Sequence, residues 1–281
     1  MPRALITLLT DFGTADYFVG AMKGVILSIN PKAQIVDLTH EIPPQDVPAA
    51  AFTLLAAYKE FPSQTIHVAV VDPGVGSARR PILTSCAGQF FVGPDNGLLS
   101  YVLEREGQAS VIHIQNEQYF RQPLSATFHG RDVFAPVAAA LGTGIEPAEF
   151  GEEITDYARL ESLAPSCLAK GAMRARIIHI DRFGNCVTNL TRAHVTDEAI
   201  ARGVRLIIKG EEITSFRHFF ADESDGSDEL FAIWGSAGFL EIVARNASAA
   251  QALKAKPGEL VQCVLPGSPI RRTIKRSTKS Y

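Results

Sequence analysis

The opening third of the chain alternates between two hydrophobic periods, and that alternation restricts it to very few folds. ALITLL (4–9) is a short continuous apolar run suited to a buried strand, and it ends at Asp11 and Gly13. FVGAMKGVILSIN (18–30) places apolar residues at helical spacing and stops before Pro31. AQIVDL (33–38) reads as a strand, VPAAAFTLLAAYKEF (47–61) as a helix ended by Pro62, and TIHVAVV (65–71) as a strand again. Such strand–helix–strand alternation predicts the α/β class, a mostly parallel sheet covered by helices. Ligands of these sheets bind beyond the carboxyl ends of strands. Asp11 and Asp72 both stand at such an end.

The texture changes near residue 150. Before it, PDNG (94–97) reads as a turn, LLSYVLERE as a short helix and DVFAPVAAALGTG (132–144) as another. EEITDYARLESLAPSCLAKG has little strand character and reads as a linker or a connecting helix. Beyond it come RARIIHI, VRLIIKG, ELFAIWG, GFLEIVA and ELVQCVL, short strand-like runs separated by Gly, Asp and Ser, with hardly any helix signal. This pattern predicts a small antiparallel sheet or barrel. The expected organisation is therefore an N-terminal α/β domain over 1–165 and a smaller, antiparallel β-barrel-like domain over 172–281.

Composition removes several functions. A formal charge of −3 over 281 residues gives no broad basic surface for nucleic acid or an anionic membrane. The basic RRTIKRSTK (271–279) reads as a solvated tail. The four cysteines, Cys86, Cys167, Cys186 and Cys263, are dispersed and form no CxxC pair, as expected for free thiols in a reducing compartment. The N-terminus lacks a signal-peptide pattern and no eighteen apolar residues run together, so a cytoplasmic location is expected. The seven histidines include no HExxH and no pair at helical ligand spacing, which removes the usual zinc signals, and nothing specific supports the remaining alternative, a carboxylate-rich magnesium site. GVGSARR (74–80) lacks the GxxxxGK[ST] order, no GxGxxG opens a helix after a strand, and DFG (11–13) has no kinase elements upstream. These three readings are therefore set aside.

What remains is a set of polar residues at turns. Asp11 and Asp16 flank the first strand-to-helix turn, and Asp72 and Arg79 bracket a glycine loop. FHGRD (128–132) sets His129 before a helix, IDRFGN (180–185) puts Asp181, Phe183 and Asn185 on a turn, and WGSAG (234–238) carries Ser236. Taken singly, each has a structural explanation: a turn former, a cap or a loop-pinning ion pair. Together they predict an α/β enzyme with an acid–arginine–histidine cluster.

The segments LLTDFGTADYFVGAMKGV, VVDPGVGSARR, PDNGLL, FHGRD, IDRFGN and GSAGFLEIVARNASA follow one another across nearly the whole chain. In them the chain resembles the S-adenosyl-L-methionine (SAM) hydroxide adenosyltransferases, also called SAM hydrolases, relatives of the fluorinase and chlorinase. The resemblance implies hydrolysis of SAM to adenosine and L-methionine by water attacking ribose C5′, with no cofactor, in a homotrimer whose sites lie at subunit interfaces. Asp72, Arg79 and His129 match the set associated with water activation, and Asp11 matches the acid that grips the ribose diol. Asp16, Asp181 and Ser236 match groups holding the methionine end. Phe183 and Asn185 match positions against the adenine, and the segment from Arg245 to Ala247 matches the strand at its edge. The rival within the family is a halide nucleophile. In the halogenases a tyrosine matches Asp72 and a hydroxyl residue matches Gly130, so the acid and glycine here imply water. A protein that only binds an adenosyl ligand would need the contacts but no water-activating cluster.

Overall fold

A computed structural model of the chain describes residues 3–168, 171–220 and 230–266; the basic tail lies outside them. The chain divides into two compact units, Met1–Ser162 and Leu163–Tyr281.

The N-terminal unit is built on a seven-stranded mixed sheet. Its strands are β1 (Leu5–Thr10), β2 (Gln34–Thr39), β3 (Ile66–Val70), β4 (Pro81–Cys86), β5 (Gln89–Pro94), β6 (Ser110–Ile114) and β7 (Gly151–Glu153). They lie in the order β2-β1-β3-β5-β4-β6-β7. The ladders from β2 through β1 and β3 to β5 are parallel, and those joining β5, β4, β6 and β7 are antiparallel. The antiparallel half begins at a tight hairpin in which Ala87 and Gly88 both take positive φ, 52° and 71°, the pair of values that lets a two-residue turn follow strand twist. Four helices cover the sheet: α1 (Phe18–Ile29), α2 (Val47–Ala57), α3 (Ser100–Glu106) and α4 (Ala135–Leu141). Helix α2 starts where Asp46 accepts a 2.9 Å bond from the Ala49 amide, a side-chain N-cap. Val19, Met22 and Ile26 of α1 are buried, and Met22 and Ile26 join one core with Ile6, Leu8, Val68 and the alanine-rich α4.

The C-terminal unit holds a curled, half-barrel sheet, largely antiparallel. Its strands are β8 (Ser166–Leu168), β9 (Ala172–Ile180), β10 (Cys186–Thr191), β11 (Arg205–Ile208), β12 (Glu211–Ile213), β13 (Phe216–Arg217), β14 (Leu230–Trp234), β15 (Phe239–Ala244) and β16 (Leu260–Val264). Two single-turn helices, α5 (Asp197–Ala201) and α6 (Ala249–Leu253), start at Thr196 and Ser248 caps. Alternate residues such as Ile177, Leu206, Leu240, Ile242 and Val261 point into one apolar core.

The segment read as a linker or connecting helix contains the end of β7, an irregular stretch and β8, without a helix among its described residues. Tertiary bonds fix its course. Arg80 donates to the Asp95 carboxylate at 2.9 Å and to Asp156 at 2.9 Å, while Asp95 accepts from the Ala158 amide at 2.7 Å. No helix among the described residues is long and apolar enough to cross a membrane.

Candidate active site

Strands β1 and β3 run parallel with Thr10 opposite Val70, so the residues that follow them emerge side by side. Asp11 follows β1 directly and Asp72 follows β3 by two residues. Both line a cavity of about 430 Å³ whose wall also contains Phe12, Phe18, Pro73, Thr127 and Phe128. Asp11 accepts a 2.8 Å bond from the Gln45 amide.

The loop after Asp72 folds back on itself. The Val75 amide donates to the Asp72 carbonyl, the Ser77 hydroxyl to the Gly74 carbonyl at 2.7 Å, and the Arg79 amide to the Ser77 oxygen at 3.2 Å. Gly76 has φ +76°, and a Cβ there would stand 2.2 Å from the Ala126 carbonyl oxygen. Only glycine fits so close to the strand of chain that leads to His129.

This geometry returns Arg79 to Asp72. The guanidinium grips the carboxylate with both edges, Nε donating to Oδ1 at 3.1 Å and Nη2 to Oδ2. Their side chains are 8% and 5% exposed, so the pair is nearly dry. Arg79 Nη2 also donates to His129 Nδ1 at 3.1 Å, and its guanidinium carbon lies 5.3 Å from the Phe134 ring centroid. Arg79 Nη1 is buried with no acceptor among the described residues.

Burial pushes the Asp72 carboxyl above its ordinary range, although Arg79 pulls it back. Burial, followed by the Arg79 charge, holds His129 below the usual imidazole range. An arginine only donates, so His129 Nδ1 is the acceptor and the neutral ring carries its proton on Nε2. That tautomer makes Nε2 a donor rather than a base.

His129 sits at the start of a single π turn, Gly130–Phe134, that leads into α4. Asp132 in that turn is completely buried. Burial raises its carboxyl, but hydrogen bonds from Arg131 and the Ser125 amide prevail and hold it below the normal range. The Asp of FHGRD thus ties down the preceding loop. A Cβ on Gly130 would meet Met22 sulfur at 3.2 Å, Phe128 at 3.3 Å and Phe12 at 3.4 Å, so a larger residue there requires these side chains to shift by a few tenths of an ångström.

The second set lies in the C-terminal unit, on the turn between β9 and β10. Asp181 Oδ1 accepts from the amides of Phe183 at 2.9 Å and Asn185 at 2.8 Å, and Oδ2 accepts from Asn185 Nδ2 at 2.8 Å. These bonds hold the Phe183 ring 78% exposed and engage the Asn185 amide through its nitrogen, with no donor to Oδ1 among the described residues. Gly184 has φ +85°, and a Cβ there would lie 2.0 Å from Ser248 Oγ, so the α6 cap packs directly on the turn. Phe183, Asn185, Phe220, Ala244, Asn246, Ala247 and Ser248 line a pocket of about 580 Å³.

The structure therefore gathers Asp11, Asp72, Arg79 and His129 in one unit, and Asp181, Phe183, Asn185 and Ala247 in the other. Asp16, Ser236 and Arg245 are exposed and, like Arg79, His129 and Asp181, line neither pocket, but no hydrogen bond among the described residues ties them to either set. Sequence reading missed Phe220 and Glu241. Glu241 lies on β15 with its carboxyl over Gly235, where a Cβ would stand 1.8 Å from Oε1. Burial and the neighbouring Asp181 raise it to about 7. Its signal was present as the single acid inside the apolar run FLEIVA.

The model of the SAM hydroxide adenosyltransferase N-terminal domain matches residues 6–151, and that of the C-terminal domain matches residues 175–262. The chain belongs to this family. It is 40% identical over 252 residues to an (R)-S-adenosyl-L-methionine hydrolase of Methanocaldococcus jannaschii, a match covering 85% of this chain and 87% of the relative. A Thermus thermophilus protein of the same name is 37% identical, over 90% and 96% of the two chains. A fluorinase of an Actinoplanes species is more distant, 28% identical over 87% and 91%. Among solved structures, an uncharacterized conserved protein of Thermotoga maritima superposes with a TM-score of 0.84 at 36% identity, covering 92% of this chain and 99% of that one. The family and the fold expected from the residues are thus both found.

Proposed function

We propose that this protein hydrolyses (R)-S-adenosyl-L-methionine to adenosine and L-methionine. Water attacks ribose C5′ in line with the departing sulfur, the C5′–S bond breaks with its electron pair passing to sulfur, and one proton is released. A sulfonium is already a charged leaving group, so no acid is needed for departure. The demand falls on the nucleophile, which must be aimed and relieved of a proton.

The dry, two-edged Asp72–Arg79 pair beside His129 carries this reading. Each carboxylate oxygen bound by Arg79 keeps a lone pair, so Asp72 can accept from water, and its raised pKa makes it a better proton acceptor. The Arg79 charge, fixed on Asp72, steadies the negative charge that develops as the proton leaves. His129 orients Arg79 and offers Nε2–H as a donor, which assigns it to positioning rather than proton uptake. Asp11 takes the ribose diol. Phe183 stacks on the adenine, with Asn185 Oδ1 and the segment from Arg245 to Ala247 at its polar edge. Asp16, Asp181 and Ser236 receive the methionine end, where Glu241 adds a further carboxyl.

A carboxylate beside the nucleophile repels halide. Hydrolysis is therefore favoured over halogenation, and an adenosyl-binding protein would have no use for the cluster. The finer reading also includes a cytoplasmic homotrimer with substrate at subunit interfaces, supported by the exposed rings of Tyr17 and Phe183, 67% and 78% accessible. Analytical ultracentrifugation tests the trimer.

The test of function is incubation of purified protein with (R)-SAM, with and without chloride or fluoride, followed by chromatography. Equal amounts of adenosine and methionine, independent of halide, are expected. A 5′-halogenated nucleoside would establish the halide reaction instead, and intact substrate would leave only binding.

A further inference from the structure

A cavity of about 300 Å³ in the C-terminal unit lies outside both residue sets described above. Ile200, Ala201, Phe216 and Leu240 give it apolar walls, and Arg217 and Trp234 also line it. Arg217 is 8% exposed, with its guanidinium carbon 4.1 Å from the Phe231 ring centroid. Its Nε and Nη1 are shut from solvent without an acceptor among the described residues, and so is Trp234 Nε1. Among the described residues the wall contains one carboxylate, Asp197, and that accepts from Arg192 at 2.7 and 3.0 Å. Arg192 in turn stacks 4.8 Å from the Trp234 ring centroid.

All three orphaned groups are donors, so the missing component is an acceptor. Among the described residues this buried guanidinium has no counter-charge, which is costly and makes that acceptor an anion. At roughly 30 Å³ per water the cavity equals about ten waters, room for a small organic acid. The apolar walls suit a hydrocarbon tail, and one guanidinium balances a single charge better than the near-double charge of phosphate.

We propose that this cavity binds a short-chain monocarboxylate, held by Arg217 and the Trp234 indole N–H, independently of the hydrolytic residues. Calorimetric titration and thermal unfolding of the full chain would use butanoate and inorganic phosphate as probes. Butanoate is expected to bind and raise Tm, and phosphate is not. Arg217→Met should weaken butanoate binding by about tenfold or more. It should also fold with an unliganded Tm at or above that of the unsubstituted protein, because the orphaned charge is gone. Trp234→Phe should weaken binding by several-fold and tests the site should Arg217→Met fail to fold. Both variants should keep kcat and KM for SAM, so loss of this site and loss of hydrolysis are distinguishable.

The proposal is overturned if butanoate leaves the unsubstituted protein unchanged, if phosphate stabilises it equally, or if both variants keep the response. It is also overturned if butanoate binds only after the five acids at Asp222, Glu223, Asp225, Asp228 and Glu229 are converted to amides. A carboxylate of the chain itself would then be the occupant.

Discussion

The two residue sets solve opposite problems. In the N-terminal unit Asp72 and Arg79 are about as buried as core residues and spend their hydrogen bonds on each other and on His129. In the C-terminal unit Asp181 spends its own on the turn, and the product of that investment is a phenyl ring left standing in solvent. Charge that must act on a reacting atom gains from being fixed and dry, because nothing then has to reorganise as the barrier is crossed. A planar, neutral ligand group needs a flat apolar face left open to receive it. On the proposed reading, Asp72, Arg79 and His129 serve rate, while Asp11 and the C-terminal set serve affinity.

Substitutions can break that division. Asp72→Ala should lower kcat by about 10²–10⁴, the range for a lost general base, while adenosine binding by calorimetry stays nearly unchanged. Loss of affinity equal to the loss of rate would place Asp72 among the ligand-holding groups instead.

Next in size is a pH effect on the interior of the N-terminal unit. His67 is fully buried, bonded to Thr7 at 2.7 Å and stacked on Phe91, and burial lowers it to about 4 from 6.5. A depressed histidine means that the unfolded chain binds the extra proton. Stability should be fully present above pH 6.5 and fall towards pH 4, by about 3 kcal/mol at ~1.4 kcal/mol per pH unit. Urea midpoints across that window would show it, and His67→Gln should flatten the curve.

Phe183→Ala should raise KM through a loss of about 1–3 kcal/mol of base stacking, with kcat little changed. A fall in kcat alone would end the separation between the two sets. The smallest effect belongs to Glu241. Its carboxyl titrates at about 7, so affinity for the cationic substrate should rise as pH climbs through neutrality. Glu241→Gln should remove that limb at a cost of several-fold in KM, on the order of 1 kcal/mol.

Much of this was legible from periodicity. The parallel half of the sheet could be read because each strand is a continuous apolar run, and Asp11 and Asp72 could be placed because acids terminate those runs. The antiparallel half was obscured, since β4 and β5 are joined by Ala87 and Gly88 alone and PILTSC carries no clear alternation. The path of residues 154–160 depends on Arg80, Asp95 and Ser100, which are far away in sequence. Asp16, Ser236 and Arg245 have the right residue types, but which turn folds over which pocket is a tertiary matter. Glu241 escaped notice because a lone acid in a strand reads as the solvent side, whereas here the missing side chain of Gly235 makes room for it.

The neighbouring Arg79 and Arg80 are committed to different partners. One guanidinium closes on Asp72, while the next reaches Asp95 and Asp156 on another side. The two are chemically identical, so only their position in the chain tells them apart. Adding or deleting one residue between Asp72 and Arg79 would turn the wrong arginine inward. Its neighbour would be thrown off the distant chain it holds, and both attachments would fail together. The spacing of this loop is therefore a counted length, far less free to drift than the identities of the small residues within it.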